Sequence, residues 1–296
     1  MAAPKALILD SRAVLRAAGP DVRPFLQGMI SNDVEKVTAS HSIWSAFLTP
    51  QGKFLHEFFV SLDPGDSDAL LIDCESARRD DLRRRLSLYK LRSKVTIADA
   101  NEEFSVAALF GDDAATTLKL PAEPGATTAF AGGIAFVDPR LAELGARALL
   151  PRQKAEAALR DAGFAAAELA DYDRLRIDLG VPDGSRDLEV ERSPLLENGF
   201  DELHGVDWDK GCFMGQELTA RTKYRALIKK RLMPVEIDGP APEPDTPVTR
   251  DGKDVGTMRS SAAQAGLALI RLDALDGELR AGEAKLSPRK PAWARY

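Results

Sequence analysis

At 296 residues the chain exceeds what one ordinary hydrophobic core supports, so two or three compact units are expected. Apolar residues make up 44% and charged residues 29%, the balance of a soluble globular protein rather than a disordered or fibrous one. The formal charge of −6 argues against a general nucleic-acid binder, and no segment approaches the roughly 20 uninterrupted apolar residues of a membrane span.

The chain opens on MAAPKALILDSRAVLRAAG, where no apolar run follows basic residues and Asp10 comes early. A secretory signal or Arg-rich presequence is therefore not expected, and the protein reads as cytoplasmic. ALILD predicts a strand and SRAVLRAAG a second, giving way at Gly19-Pro20 to a helix marked by Pro24 near its first turn and by Phe25, Leu26 and Met29 at helical spacing. SIWSAFLTPQGKFLHEFFVSL predicts a hairpin turning at Pro50-Gln51-Gly52, and ALLIDCES another strand. SARRDDLRRRLSLYKL places Leu82, Leu86 and Tyr89 on one helical face, with a charged remainder that reads by default as a solvated surface. Lys90, Arg92 and Lys94 alternate along what reads as a strand and would share one face.

KVTIADANEEFSVAALFG predicts strands, DDAATTLKL a short helix, PAEPGATT a loop and GGIAFVDPR a strand. RQKAEAALRDAGF is a helix stopped by Gly163, and AELADYDRLRIDLG repeats the pattern through Leu169, Tyr172, Leu175 and Leu179. Helices alternating with strands and hairpins indicate α+β. After Arg231 the texture changes to short runs between turns, MPVEIDG, TPVTRDGKDVGTMRSS, AGLALIRLD and GELRAGEAKL, as in a small β-barrel or sandwich, with the proline-rich 239–247 as a loop within it. The expected division is an α+β core over 1–228, with a subdomain change near 97–170, and a β-barrel over 229–296.

Two cysteines, Cys74 and Cys212, are too few for a closed structural zinc site unless His41, His56 or His204 joins them, and no CxxC or HxxxH spacing exists. Cys212 lies in KGCFMGQE, residues 210–217. A thiol acts as nucleophile or metal ligand only as thiolate, which nearby cations or a helix N-terminus favour. If DWDKGCF is extended, Lys210 and Cys212 project to the same side; Gly211 and Gly215 remove obstructing side chains, and a helix beginning near Gly215 would point its amides there. The competing explanation is a small buried hydrophobe, which free cysteine commonly is; Cys74, after LLID and without glycine or lysine neighbours, fits that description better.

KGCFMGQE resembles the signature of the folate-binding relatives of the glycine-cleavage T-protein, in particular the YgfZ-like branch and its mitochondrial iron–sulfur assembly counterparts. Phe213 stands where tyrosine is commoner. TARTKYRALIKKRLMPV, FLQGMISNDV, FLTPQGKFLHEFFV, YKLRSKV and RIDLGVPDG extend the resemblance over most of the chain. It implies a T-protein-like core of intertwined ferredoxin-like subdomains with a C-terminal β-barrel, tetrahydrofolate as ligand, and a role in assembling or repairing iron–sulfur clusters, chiefly four-iron ones, for enzymes such as those that thiomethylate tRNA. Cys212, with Lys210 beside it, would be the reactive thiolate or one ligand of a cluster shared with an A-type iron–sulfur carrier protein, because one thiolate cannot hold a cluster alone.

By the same resemblance Asp178 in RIDLGVPDG would accept hydrogen bonds from the pterin, where the family commonly has glutamate, with Gly211, Gly215, Gln216, Glu217 and Arg221 completing the folate contacts. An aspartate paired with Arg174 or Arg176 is the alternative. A folate-dependent aminomethyltransferase or demethylase would need an acid near the folate, for which DCESARRDDLRRRL offers Asp80 and Asp81. Arg221, Lys223, Arg225, Lys229, Lys230 and Arg231 crowd eleven acid-free positions, a solvated surface by default or an attractor for folate carboxylates or an acidic carrier. A monomer, touching neither membrane nor nucleic acid, is expected.

Overall fold

The computed structural model describes residues 3–225 and 228–295. They form two compact units that do not follow chain order.

The first unit comprises Met1–Leu48, His56–Tyr172 and His204–Met214. Its elements are β1 (Lys5–Ile8), β2 (Arg12–Ala18), α1 (Val22–Met29), β3 (Ile43–Leu48), β4 (Phe54–Asp63), β5 (Asp66–Glu75), α2 (Arg79–Tyr89), β6 (Thr96–Asp99), β7 (Phe104–Phe110), α3 (Ala114–Thr117), β8 (Thr127–Phe130), β9 (Gly133–Val137), β10 (Ala146–Pro151), α4 (Ala155–Asp161) and β11 (Ala165–Ala166). One sheet runs β3-β4-β5-β2-β6, the other β11-β1-β7-β10-β9-β8. Aromatic and branched residues make β3 buried throughout and β4 nearly so, as expected of strands covered on both faces. Leu82 and Leu86 seat α2 on β2 and β6, while α3 and α4 cover the second sheet through Ala114, Ala155 and Leu159.

A charge-balanced cluster joins the two sheets. Arg12 on β2 bonds Asp73 of β5 at 2.6 Å and also Glu57 of β4, which accepts the Trp44 indole N–H at 2.6 Å; Arg147, from β10 of the second sheet, reaches Asp73 at 2.7 Å. Phe59 lies beneath the Arg147 and Arg140 guanidiniums, 4.1 and 4.9 Å from its centroid, and Arg140 is itself paired with Asp138 at 2.7 Å. Each charge has an opposite partner, which is what makes ions tolerable in so apolar a layer.

The second unit comprises Thr49–Leu55, Asp173–Leu203 and Gly215–Tyr296. It holds the end of α5 (Leu169–Asp178), α6 (Gly184–Asp187), α7 (Gln216–Tyr224) and the strands β12 (Lys230–Asp238), β13 (Pro247–Arg250), β14 (Lys253–Ala262), β15 (Ala265–Arg271), β16 (Leu279–Ala281) and β17 (Ala284–Pro288). The last six close into a barrel, β12-β15-β14-β13-β16-β17, around Met233, Ile237, Val248, Met258 and Leu286. Closure leaves no unpaired edge. Arg176, fully buried, bonds Asp173 and Asp187 at 2.7 Å and the Ser260 hydroxyl at 2.9 Å, which ties α5 and α6 to β14.

Several segments depart from the sequence pattern, β8 among them, which begins at Thr127 inside the expected loop PAEPGATT. Lys90, Arg92 and Lys94 are not on a strand: the Lys90 ammonium donates to the Val95 carbonyl at 2.9 Å and the Lys94 N–H to the Asp21 carboxylate at 2.7 Å, closing a turn after α2. β10 has no counterpart in the sequence pattern, because Arg147 interrupts its apolar run; its burial is made tolerable by Asp73 opposite and the Phe59 ring beneath.

Candidate functional site

The segment QGMISND, residues 27–33, ends α1 and organises the loop that carries Cys212. The Ser31 hydroxyl donates to the Gly205 carbonyl at 2.6 Å, the Asn32 amide to that of His204 at 2.7 Å, and the Asp207 N–H to the Ser31 carbonyl at 3.0 Å. Lys210 then folds back onto the helix end, its ammonium donating to the carbonyls of Gln27 at 2.6 Å and Ile30 at 2.8 Å and lying 5.1 Å from the Phe213 ring centroid. The Met214 N–H closes the loop on the Gly28 carbonyl at 3.0 Å. Helix C-terminal carbonyls lack intrahelical donors, so a cation is well placed there.

This arrangement corrects the extended DWDKGCF. The backbone bends over 208–210, and Gly211 takes φ +91°, a left-handed conformation that costs glycine nothing. Strand alternation therefore does not bring ammonium and sulfur to one side; the ammonium is spent on two carbonyls. Burial draws the Lys210 pKa down to about 8, against the opposing pull of Asp33 and Asp207. What Lys210 supplies is anchorage. Phe213 is buried beneath the loop, whereas Gly211 and Cys212 are exposed. Cys74 is 1% exposed in β5, and burial pushes its thiol far above the ordinary range, outweighing the opposing Arg12.

The remaining residues expected around the folate belong to the second unit. Gly215 precedes α7 with φ +80°, and its carbonyl comes so close to Gly52 that a side chain there would sit 2.8 Å from it. Gln216, Glu217 and Arg221 lie on α7, the helix expected from GQELTART, and their side chains make no hydrogen bond among the described residues. Asp178, at the end of α5, accepts from Arg174 at 2.6 Å and stands 3.7 Å from Arg289, a half-exposed ion pair.

Asp80 and Asp81 are likewise committed. Asp80 faces Arg79 and Arg83, while Asp81 accepts from Arg84 at 2.6 Å, Arg85 at 2.7 Å and His56 at 3.0 Å. In the basic stretch Lys223 pairs with Asp201 and Arg231 with Glu202; the stretch also passes through residues 226–227, which lie outside the described residues. Among the described residues no group of three or more His, Cys, Asp and Glu side chains could hold a metal ion.

Sequence reasoning assigned no role to Gln27, Ser31 or Asn32. Their signal was present: a run of polar residues directly after an apolar helix, which becomes buried only if its side chains find backbone partners.

Residues 229–296 match the family profile for the CAF17 C-terminal beta-barrel domain. The whole chain is similar to the human mitochondrial iron–sulfur cluster assembly factor IBA57, at 33% identity over 96% of this chain and 84% of that protein, and to its mouse counterpart, at 33% over 92% and 78%. In fold it is similar to the glycine cleavage system aminomethyltransferase T of Bartonella henselae, with a TM-score of 0.78, 14% identity, and coverage of 99% of this chain and 87% of that one. That likeness establishes the T-protein-like α+β fold with its terminal barrel. The cytoplasmic expectation does not stand, since the human and mouse relatives are mitochondrial proteins. Free thiols report redox chemistry, and that no helix among the described residues is long and apolar enough to cross a membrane reports hydropathy; neither distinguishes one reducing compartment from another.

Proposed function

We propose that this chain, which belongs to the IBA57 family of iron–sulfur cluster assembly factors, assists assembly or repair of iron–sulfur clusters by offering the Cys212 thiolate to a cluster carried by an A-type carrier protein. The observation that carries this is the exposed Cys212 on a loop held by Lys210 against the end of α1. A cluster needs about four protein ligands, mostly cysteines, so the remaining ones come from the carrier. Clients would be cluster enzymes such as those that thiomethylate tRNA.

Tetrahydrofolate is proposed as the bound cofactor, on the strength of the T-protein-like fold. Gln216, Glu217 and Arg221 keep their polar groups available, whereas Asp178 fits only by releasing Arg174 to accept from a pterin. Bound there, tetrahydrofolate supplies a reduced pterin able to carry one-carbon units. The engagement of Asp80 and Asp81 in ion pairs disfavours the alternative of an aminomethyltransferase or demethylase that uses either acid near the folate.

Anaerobic reconstitution with the A-type carrier tests the main claim. The wild-type pair should show the absorption and circular dichroism of a shared cluster and Cys212→Ser should lose it; an unchanged spectrum in the variant would refute the role. Calorimetry with tetrahydrofolate on Asp178→Ala should show affinity weakened by more than about 1 kcal/mol if that carboxylate contacts the pterin, and unchanged affinity removes it from the site.

A further inference from the structure

Helix α2 buries Leu82 and Leu86 completely, yet its exit presents three large apolar side chains to solvent within four residues: Leu88 is 64% exposed, Tyr89 42% and Leu91 87%. Tyr89 makes an edge-on contact with Phe47. Leu91 also holds φ +45°, a left-handed conformation that residues with side chains rarely take and that glycine or asparagine would fill without strain. Packing within the unit gains almost nothing from a leucine so exposed. The side chain is left open to a partner.

The surroundings state the chemistry of that use. Residues 82–98 contain six cations and no acid, in a chain of net charge −6. Arg83, Arg84 and Arg85 are drawn to Asp80 and Asp81, and Lys90 to the Val95 carbonyl. Arg92 and Lys94 are exposed and make no ion pair among the described residues; Asp21, the acid touching this turn, accepts the Lys94 backbone N–H. An apolar centre with unpaired cations at its rim is complementary to an acidic protein surface bearing an apolar side chain.

Its position relates it to the cysteine. Asp21, which holds the turn, is the N-cap of α1, and Lys210 is bonded at the other end of that helix. Eight helical residues span roughly 12 Å, so both features are fixed to opposite ends of one short rod within one compact unit. A small protein seated on the turn extends across that distance.

We propose that Leu88, Tyr89 and Leu91, with Arg92 and Lys94, form the docking surface for an acidic face of the cluster carrier, a helix length from Cys212. This rests on the carrier reading given above. Binding of the apo A-type carrier to the full chain is measured by calorimetry for wild type, Leu88→Ser/Leu91→Gly and Arg92→Glu/Lys94→Glu, with thermal melting as the control for folding. Both patch variants should bind at least about ten-fold more weakly, an energy of about 1.4 kcal/mol. The charge-reversed pair should also lose the salt dependence of wild type. Wild-type affinity in both folded patch variants overturns the surface while leaving Cys212 untouched. A shared cluster that survives Cys212→Ser while the patch variants lose docking refutes the cysteine role and keeps the surface. Absence of carrier binding by wild type overturns the choice of partner, and patch-dependent binding to phosphatidylglycerol vesicles with unchanged carrier affinity reassigns the surface to a membrane and overturns it as well.

Discussion

The two cysteines occupy opposite settings in one unit. Cys74 sits one residue from the end of β5, paired with Ala13 and Phe58 across the sheet, with apolar side chains and the Arg12–Asp73 pair about it. Cys212 stands in a bent loop with open space at Gly211 and a buried phenylalanine at its back. Both thiols have the same intrinsic chemistry. What separates them is that the sheet spends its hydrogen bonds on itself, whereas the loop spends a lysine and several backbone groups on α1, leaving the sulfur outside.

The largest expected effect is the reactivity gap. N-ethylmaleimide should label Cys212 in the folded chain, with Cys74 slower by a factor of at least about 10³, because reaching it requires opening a sheet whose stability approaches that of the whole fold. Comparable rates, followed by mass spectrometry, would erase the distinction. Next is Arg12→Met, which strips Glu57 and Asp73 of a buried partner and should cost about 3–5 kcal/mol in denaturant unfolding while accelerating labelling of Cys74 alone. An unchanged midpoint would show that the cluster contributes no stability.

Acid should sharpen the same contrast. Burial, helped by Arg78, lowers the His56 pKa to about 4 against the opposing bond to Asp81. The neutral ring is thus the native form, while the unfolded chain takes up a proton below about 6.5. This stability is present above pH 6.5 and is lost as pH falls toward 4, by roughly 3 kcal/mol across the window. Asp81 is held down to about 2, the bonds from Arg85, Arg84 and His56 overcoming its burial, so its own contribution is lost only below the ordinary carboxylate range. Denaturation between pH 7 and 4.5 should show the slope and His56→Leu should flatten it; a slope that survives the substitution assigns it elsewhere. The smallest effect is Lys210→Met, which leaves two helix-end carbonyls without their donor and should lower stability by about 1 kcal/mol. If melting is unaffected, the loop is not anchored by this ammonium.

Much of this was legible in the residues. Period-two and helical runs gave α1, the β3–β4 hairpin, α5 and the barrel, since those patterns follow from which face is buried. KGCFMGQE marked the exposed sulfur because glycines on both sides of a cysteine seldom serve a core. Periodicity senses burial but not partnership, and the misses follow from that. Arg147 looked like an interruption until Asp73 stood opposite it, and Lys210 looked like a neighbour of Cys212 until the bend at 208–211 turned it toward α1. Asp178 showed the reverse: its i,i+4 spacing from Arg174 was visible in the chain, and that ion pair is what formed.

Gly28, the penultimate residue of α1, stands where an added methyl group would meet nothing. Its carbonyl is also the one that receives the Met214 N–H. The loop that carries the cysteine thus hangs from the end of the helix, and the next residues tie that end to β3: the Ser31 hydroxyl accepts the Ala46 N–H at 2.8 Å and the Asn32 amide donates to the Trp44 carbonyl at 2.7 Å. Held by those bonds, the sulfur is a stationary target, and an incoming sulfur or iron has to be brought to it.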